Sequence, residues 1–142
     1  MTEVRDIDET RERRIALWLS LALLVTLTLI KPLGGIAYVG TVAFTIANTG
    51  IASGQQVTLF MVSAAVDVVR KGAADNVHMN PFDPPLKELI DKFQAGGGRI
   101  LVCPPCAKVR GYGEGDFIEG VQVVGSPALH ALILDGAATL SF

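Results

Sequence analysis

The sequence predicts an α/β fold, a mostly parallel sheet with helices on both faces, and three observations carry that prediction. Segments of strand and helix character alternate from residue 37 to the C-terminus, the pattern of crossover units that build a parallel sheet with right-handed connections. The run Arg99-Ile-Leu-Val-Cys103 is apolar apart from its first residue, as a core strand covered on both faces must be. Ahead of it, Leu86, Leu89, Ile90 and Phe93 recur at i, i+3, i+4 and i+7, which gathers them on one face of a surface helix packed on a sheet.

The chain begins with a charged tail, residues 1–14, rich in Asp, Glu and Arg from residue 3 onward. Residues 15–142 are expected to form a single domain, because 142 residues suffice for one core and are too few for two ordinary domains. Within it, residues 15–35 are atypical. From Ile15 to Val66 only Lys31 is charged, and the run Ile15–Ile30 follows Arg11, Arg13 and Arg14 as the hydrophobic part of a signal or anchor segment would. The run is shorter than the ~20 residues of a typical spanning helix, and Lys31-Pro-Leu-Gly-Gly35 breaks it. Strand alternation in Val25–Ile30, with Arg14–Leu19 as another strand, is equally available. Two readings therefore stand: a first strand of the sheet, or a helix in contact with membrane or with another subunit. A cleaved secretory signal is not expected, since no small-residue cleavage site follows and the tail carries acids as well as bases.

The small apolar residues 37–53 suit a buried helix stopped at Gly54. Gln56–Val62 is β-branched and aromatic, a strand. Residues 64–71 read as a short helix closed by Gly72, and residues 76–85, with His78 and three prolines, as the longest loop. The amphipathic helix Leu86–Phe93 ends at Gly96-Gly-Gly98. After the cysteine strand come a loop through Gly111, Gly113 and Gly115, a strand Val121–Val124, a helix Pro127–Leu134 and a last strand Ala138–Phe142.

Half of the residues are hydrophobic and the mean hydropathy is +0.45, so some apolar surface is expected to be covered by other subunits or by lipid. A net charge of −2 and the lack of any Lys/Arg stripe with interleaved aromatics exclude a nucleic-acid partner. There is no GxGxxG or Walker pattern, and no organic cofactor is predicted.

Cys103 and Cys106 are the only thiols. They lie where a buried strand turns into a helix, and in open α/β sheets reactive groups collect just beyond the carboxyl ends of the strands. Lys108, Arg110 and the free N–H groups of a helix beginning at Pro104-Pro105 are expected to favour a thiolate, which is a nucleophile and a sulfur carrier. A core strand also accommodates a cysteine as a small hydrophobe. A zinc site is not expected, because the other ligand-type side chains of this kind, His78 and His130, are far apart in sequence and without paired spacing. Two cysteines do not make the dense framework of a disulfide-stapled domain, whereas a reversible Cys103–Cys106 bond stays open.

From about Ala43 to Phe142, the chain resembles the DsrE/DsrF-like family of small sulfur-relay proteins. The likeness rests on the order and spacing of Ala43-Phe-Thr-Ile-Ala-Asn48, Gln56-Val-Thr-Leu-Phe60, Val69-Arg-Lys-Gly72, Pro85-Leu-Lys-Glu-Leu89, Gly96-Gly-Gly-Arg-Ile-Leu-Val-Cys103, Arg110-Gly111, Ile118-Glu-Gly120 and Leu140-Ser-Phe142. In sulfur-carrying members a cysteine at the end of the corresponding strand is followed seven and eight residues later by Arg-Gly, the spacing of Cys103, Arg110 and Gly111. The N-terminal third departs from the pattern, and the register of a first strand is not assigned.

What the resemblance implies is a Rossmann-like open sheet, assembly into trimers or hexamers, and persulfide transfer between donor and acceptor proteins. Cys103 would take sulfur from a persulfide or thiosulfonate and present it to an acceptor thiol. Arg110 and Lys108 would stabilise the anionic sulfur. Cys106 would either release the sulfur through a disulfide with Cys103 or line the pocket. His78 reads as a loop residue with proton donation as its alternative role, His130 as structural, and Asp67 as a capping or pairing group with no assigned role. A thiol–disulfide redox protein using both cysteines and a non-catalytic assembly subunit are the rival classes. The expected location is cytoplasmic, with peripheral or anchored membrane association through residues 15–30 as the alternative.

Overall fold

The computed structural model describes residue 14, residues 18–20 and residues 35–142. The chain divides into two compact units, Met1–Gly35 and Ile36–Phe142. In the first, Arg14 and Trp18–Ser20 are helical and exposed. The strand expected over Arg14–Leu19 is therefore not formed at those residues; leucines and alanines crowd this stretch, and they favour a helix. The alternative strand Val25–Ile30, and with it most of the segment expected to meet lipid, lies outside the described residues.

The second unit holds an open α/β sheet of three parallel strands in the order β1 (Thr58–Met61), β2 (Arg99–Val102), β3 (Val121–Val123). Thr58 pairs with Arg99 and Met61 with Val102; Ile100 pairs with Val121 and Val102 with Val123. The predicted α/β class is the observed one. β2 is central, and its Ile100, Leu101 and Val102 are buried, as its unbroken apolar run requires.

Four α-helices accompany the sheet: α1 (Gly35–Ala52), α2 (Leu86–Ala95), α3 (Pro104–Val109) and α4 (Ser126–Leu134). By length and composition α1 is the one helix among the described residues fit to cross a membrane, yet one side of it is built into the core. Phe44 meets Phe93 of α2 edge to face, ring centroids 5.5 Å apart, and buried Asn48 donates Nδ2–H to the Leu89 carbonyl at 2.9 Å. Thr41, Thr45, Thr49 and Ser53 each donate a hydroxyl to the carbonyl four residues back, so the hydroxyls of this apolar helix are satisfied internally. The helix stops at Gly54, whose φ of +81° is a left-handed cap conformation.

α2 buries the four residues its periodicity selects, Leu86, Leu89, Ile90 and Phe93. With Phe44, Val66, Val69, Ile100, Val102 and Phe117 they make the core. Gly98 is required at the exit of α2, because a Cβ there would fall 2.4 Å from the Phe93 ring.

Two expected elements differ. The helix predicted over 64–71 is a 3₁₀ helix, Ser63–Val69. β-Branched Val66, Val68 and Val69 lose side-chain freedom in an α-helix, and the threefold 3₁₀ repeat puts Val66 and Val69 on one side, where both are fully buried. The strand expected over Ala138–Phe142 is not formed: these residues are exposed, irregular and paired with neither edge of the sheet, since strand propensity by itself does not order a segment.

Candidate functional site at the carboxyl edge of the sheet

Parallel strands β1 and β2 end side by side, and the Cys103 N–H donates to the Met61 carbonyl at 3.0 Å, one step beyond the strand register. Cys103 is thereby held at the carboxyl edge. Pro104 and Pro105 set the backbone for the first turn of α3, and Cys106, three residues after Cys103, returns to the same side. The two sulfurs stand 3.0 Å apart and share a hydrogen bond. Both cysteines are free and half-buried.

The group that holds the second sulfur comes from the other strand. Ser63, two residues past β1, adopts φ +50°, the one left-handed non-glycine backbone among the described residues. Its N–H donates to Cys106 Sγ at 3.1 Å. The expected cradle of helix N–H groups is reduced, because the first two residues of α3 are prolines and have no N–H to offer, which leaves the Cys106 N–H to face Cys103.

These contacts separate the two thiols. Cys106 is lowered from an ordinary thiol pKa by its hydrogen bond with Cys103, then by the Ser63 amide, with burial opposing and the Arg110 charge assisting. Cys103 is raised, first by the same hydrogen bond with Cys106, while the Cys106 backbone N–H pulls the other way and burial adds to the rise. These contacts favour the charged form at Cys106 over Cys103.

Arg110 ends α3. Its Nη1 donates to the Cys106 carbonyl at 3.2 Å and its Nε lies 3.3 Å from Asp67 Oδ1 and 3.4 Å from Oδ2, to which it donates. The guanidinium therefore sits beside the thiol pair without bonding either sulfur. Asp67, given no role from sequence, is its counter-ion, and Asp67 Oδ1 is buried with no hydrogen bond of its own. Tyr112 borders the same group, its phenol pKa raised by burial and then by Asp67; its ring stacks edge-on against Phe117, with Arg70 over its face at 5.8 Å. Lys108 is exposed on α3. His78 is spent within its own loop, a ring nitrogen 2.8 Å from the Asp83 carbonyl, and His130 is exposed on α4.

Of the residues singled out from sequence, Cys103, Cys106 and Arg110 come together, while Lys108 and His130 are exposed and His78 is bonded within its own loop. Sequence reasoning missed Ser63 and Asp67. The only signal for Ser63 was its position at a strand end; for Asp67 it was a lone acid among the valines of a half-buried segment.

A parallel sheet with a pair of free thiols at its carboxyl edge defines the class of protein: a small α/β protein of open parallel-sheet architecture. The family model of the DsrE/DsrF-like family matches residues 38–142, and the chain belongs to that family. It is 33% identical over 92 residues to an uncharacterized protein of Methanopyrus kandleri, covering 64% of this chain and 69% of that one. It is 30% identical over 101 residues to an uncharacterized protein of Methanocaldococcus jannaschii, covering 70% of this chain and 83% of the relative. The crystal structure of the ychN protein from E. coli superposes with a TM-score of 0.55 at 21% identity over 70% of this chain and 86% of that one, a likeness of fold.

Proposed function

We propose that this protein is a sulfur carrier that relays persulfide sulfur through Cys103, with Cys106 and Arg110 as the other working groups. The observation that carries the reading is the thiol pair itself: two free cysteines 3.0 Å apart at the carboxyl edge of a parallel sheet, in a chain of the DsrE/DsrF-like family. Cys103 takes sulfane sulfur from a donor protein's persulfide and yields it to an acceptor thiol. Arg110, anchored by Asp67, supplies positive potential next to the charged sulfur. The reducing cytoplasm keeps such thiols in the free form.

Self-association belongs to this reading. α4 buries none of its residues, and Val109, Leu134, Leu140 and Phe142 are all strongly exposed. An apolar surface of this kind favours a homo-oligomer, a trimer or hexamer.

The test is intact-mass spectrometry of the reduced protein before and after polysulfide. A gain of ~32 Da that persists in Cys106→Ser and vanishes in Cys103→Ser is the expected result. A second reading, dithiol–disulfide redox cycling, is favoured by the same 3.0 Å separation; it predicts that a dithiol substrate is oxidised by the wild type and by neither serine variant, with no sulfur gained.

A further inference from the structure

The carrier reading leaves open whether Cys106 releases the sulfur or lines the pocket, and the geometry bears on that choice. Its sulfur is 3.0 Å from Cys103 Sγ, whereas a disulfide bond is about 2.05 Å long, so roughly 1 Å of side-chain motion joins the two. Reacting atoms held within ~3–3.5 Å, in one turn of one helix, react as an intramolecular pair with a large effective concentration. The Ser63 amide points at the same sulfur, at 3.1 Å, from a backbone conformation that a residue with a Cβ rarely adopts. Such local strain, at the residue that presents an N–H to a sulfur, is what a site built to hold an attacking thiolate would contain. Arg110 lies beside the pair, its Nη1 3.2 Å from the Cys106 carbonyl.

We propose that Cys106 is the releasing thiol: held by the Ser63 amide, its sulfur attacks the inner sulfur of a Cys103 persulfide, closes the Cys103–Cys106 disulfide and expels the carried sulfur as hydrosulfide. This rests on the sulfur-carrier reading and adds a second exit beside transfer to an acceptor thiol, one in which the carried sulfur leaves reduced to sulfide. The electron pair of the Cys106 thiolate makes the new Sγ–Sγ bond. The bond between Cys103 Sγ and the carried sulfur breaks, its pair departs with that sulfur, and the terminal proton stays on it as HS⁻. Cys106 is oxidised and the carried sulfur reduced, so the step needs no outside oxidant. Regeneration of the two thiols takes two electrons from a dithiol reductant by thiol–disulfide exchange, which adds a dithiol protein or small dithiol to the partners. Ser63 is a positioning residue that acts through its backbone.

The experiment loads the reduced full-length protein with polysulfide, removes excess reagent without reductant or oxygen, and follows hydrosulfide with a bimane alkylating agent beside intact mass. Wild type is expected to release one equivalent of hydrosulfide while its mass settles ~2 Da below that of the reduced chain, as a new disulfide requires. Cys106→Ser is expected to keep its ~32 Da sulfur and to release at least about tenfold more slowly. Ser63→Gly, which keeps the N–H and tolerates the left-handed φ, should match wild type. Equal release by Cys106→Ser and wild type, or a wild type that holds its sulfur, would overturn the proposal and leave the carrier intact. A stable gain in Cys103→Ser would overturn it by making Cys106 the carrier. Failure of Cys106→Ser to load at all would bring down the carrier reading itself.

Discussion

Gly98→Ala is the sharpest test of how the cysteine strand is positioned. A Cβ at this residue would lie 2.4, 2.5 and 2.6 Å from three atoms of the Phe93 ring, well inside van der Waals contact. Neither partner can retreat freely. The ring is fully buried and meets Phe44 edge to face, while the backbone is pinned by Gly98 N–H to the Phe93 carbonyl at 2.9 Å and Arg99 N–H to the Val57 carbonyl at 3.1 Å. Overpacking of this kind costs about 1–3 kcal/mol, of which loss of the aromatic contact accounts for ~0.5–1.5 kcal/mol. With a urea dependence of about 1–3 kcal/mol per molar, the unfolding midpoint should fall by on the order of 1 M at unchanged slope. Adding Phe93→Leu makes room for the new methyl group, so the double variant should be less destabilised than the sum of the singles by ~0.5–3 kcal/mol. A Gly98→Ala midpoint equal to wild type, or strict additivity in the double variant, would refute the packing argument.

Three further outcomes follow from the same contacts. Because the Cys106 pKa is lowered, by Cys103 and the Ser63 amide with Arg110 assisting, its alkylation should persist below the ordinary thiol range and decline as pH falls through that lowered value; Cys103→Ala should move the midpoint up. Iodoacetamide labelling mapped by mass across pH checks this, and labelling of Cys103 ahead of Cys106 would reverse the assignment. Asn48→Ala removes the buried amide that ties α1 to α2 and should cost about 1–2 kcal/mol in thermal or urea unfolding; an unchanged midpoint would mean that the bond adds nothing. Leu134→Lys combined with Phe142→Lys charges the exposed apolar end of the chain and should lower the oligomeric state in sedimentation velocity, whereas an unaltered assembly would locate the interface elsewhere.

Much of the fold was legible because it follows from local periodicity. Leu86, Leu89, Ile90 and Phe93 fall on one helical face by spacing alone, and all four are buried. Ile100, Leu101 and Val102 carry no polar group that a central strand would leave unpaired. Strand β2 and the prolines after it put Cys103 and Cys106 at the sheet edge, which their placement in the sequence already indicated. Where the propensity was right and the outcome different, packing decided: Ala138–Phe142 has strand residues but docks on neither sheet edge, and the valines of Ser63–Val69 reach the core through a 3₁₀ repeat.

The division of labour is clearest at the two sulfurs. The sequence alone determined that this protein has an α/β sheet, a CxxC pair at its carboxyl edge and an arginine one turn beyond. Tertiary structure decided what surrounds the two sulfurs, since the amide that donates to Cys106 belongs to Ser63, 43 residues earlier in the chain, and the counter-ion of Arg110 is Asp67, also 43 residues away. A hydrogen bond acts over about 3 Å. Groups that far apart in sequence meet only when β1 and β2 pair in register, and no pattern within either strand records that they will.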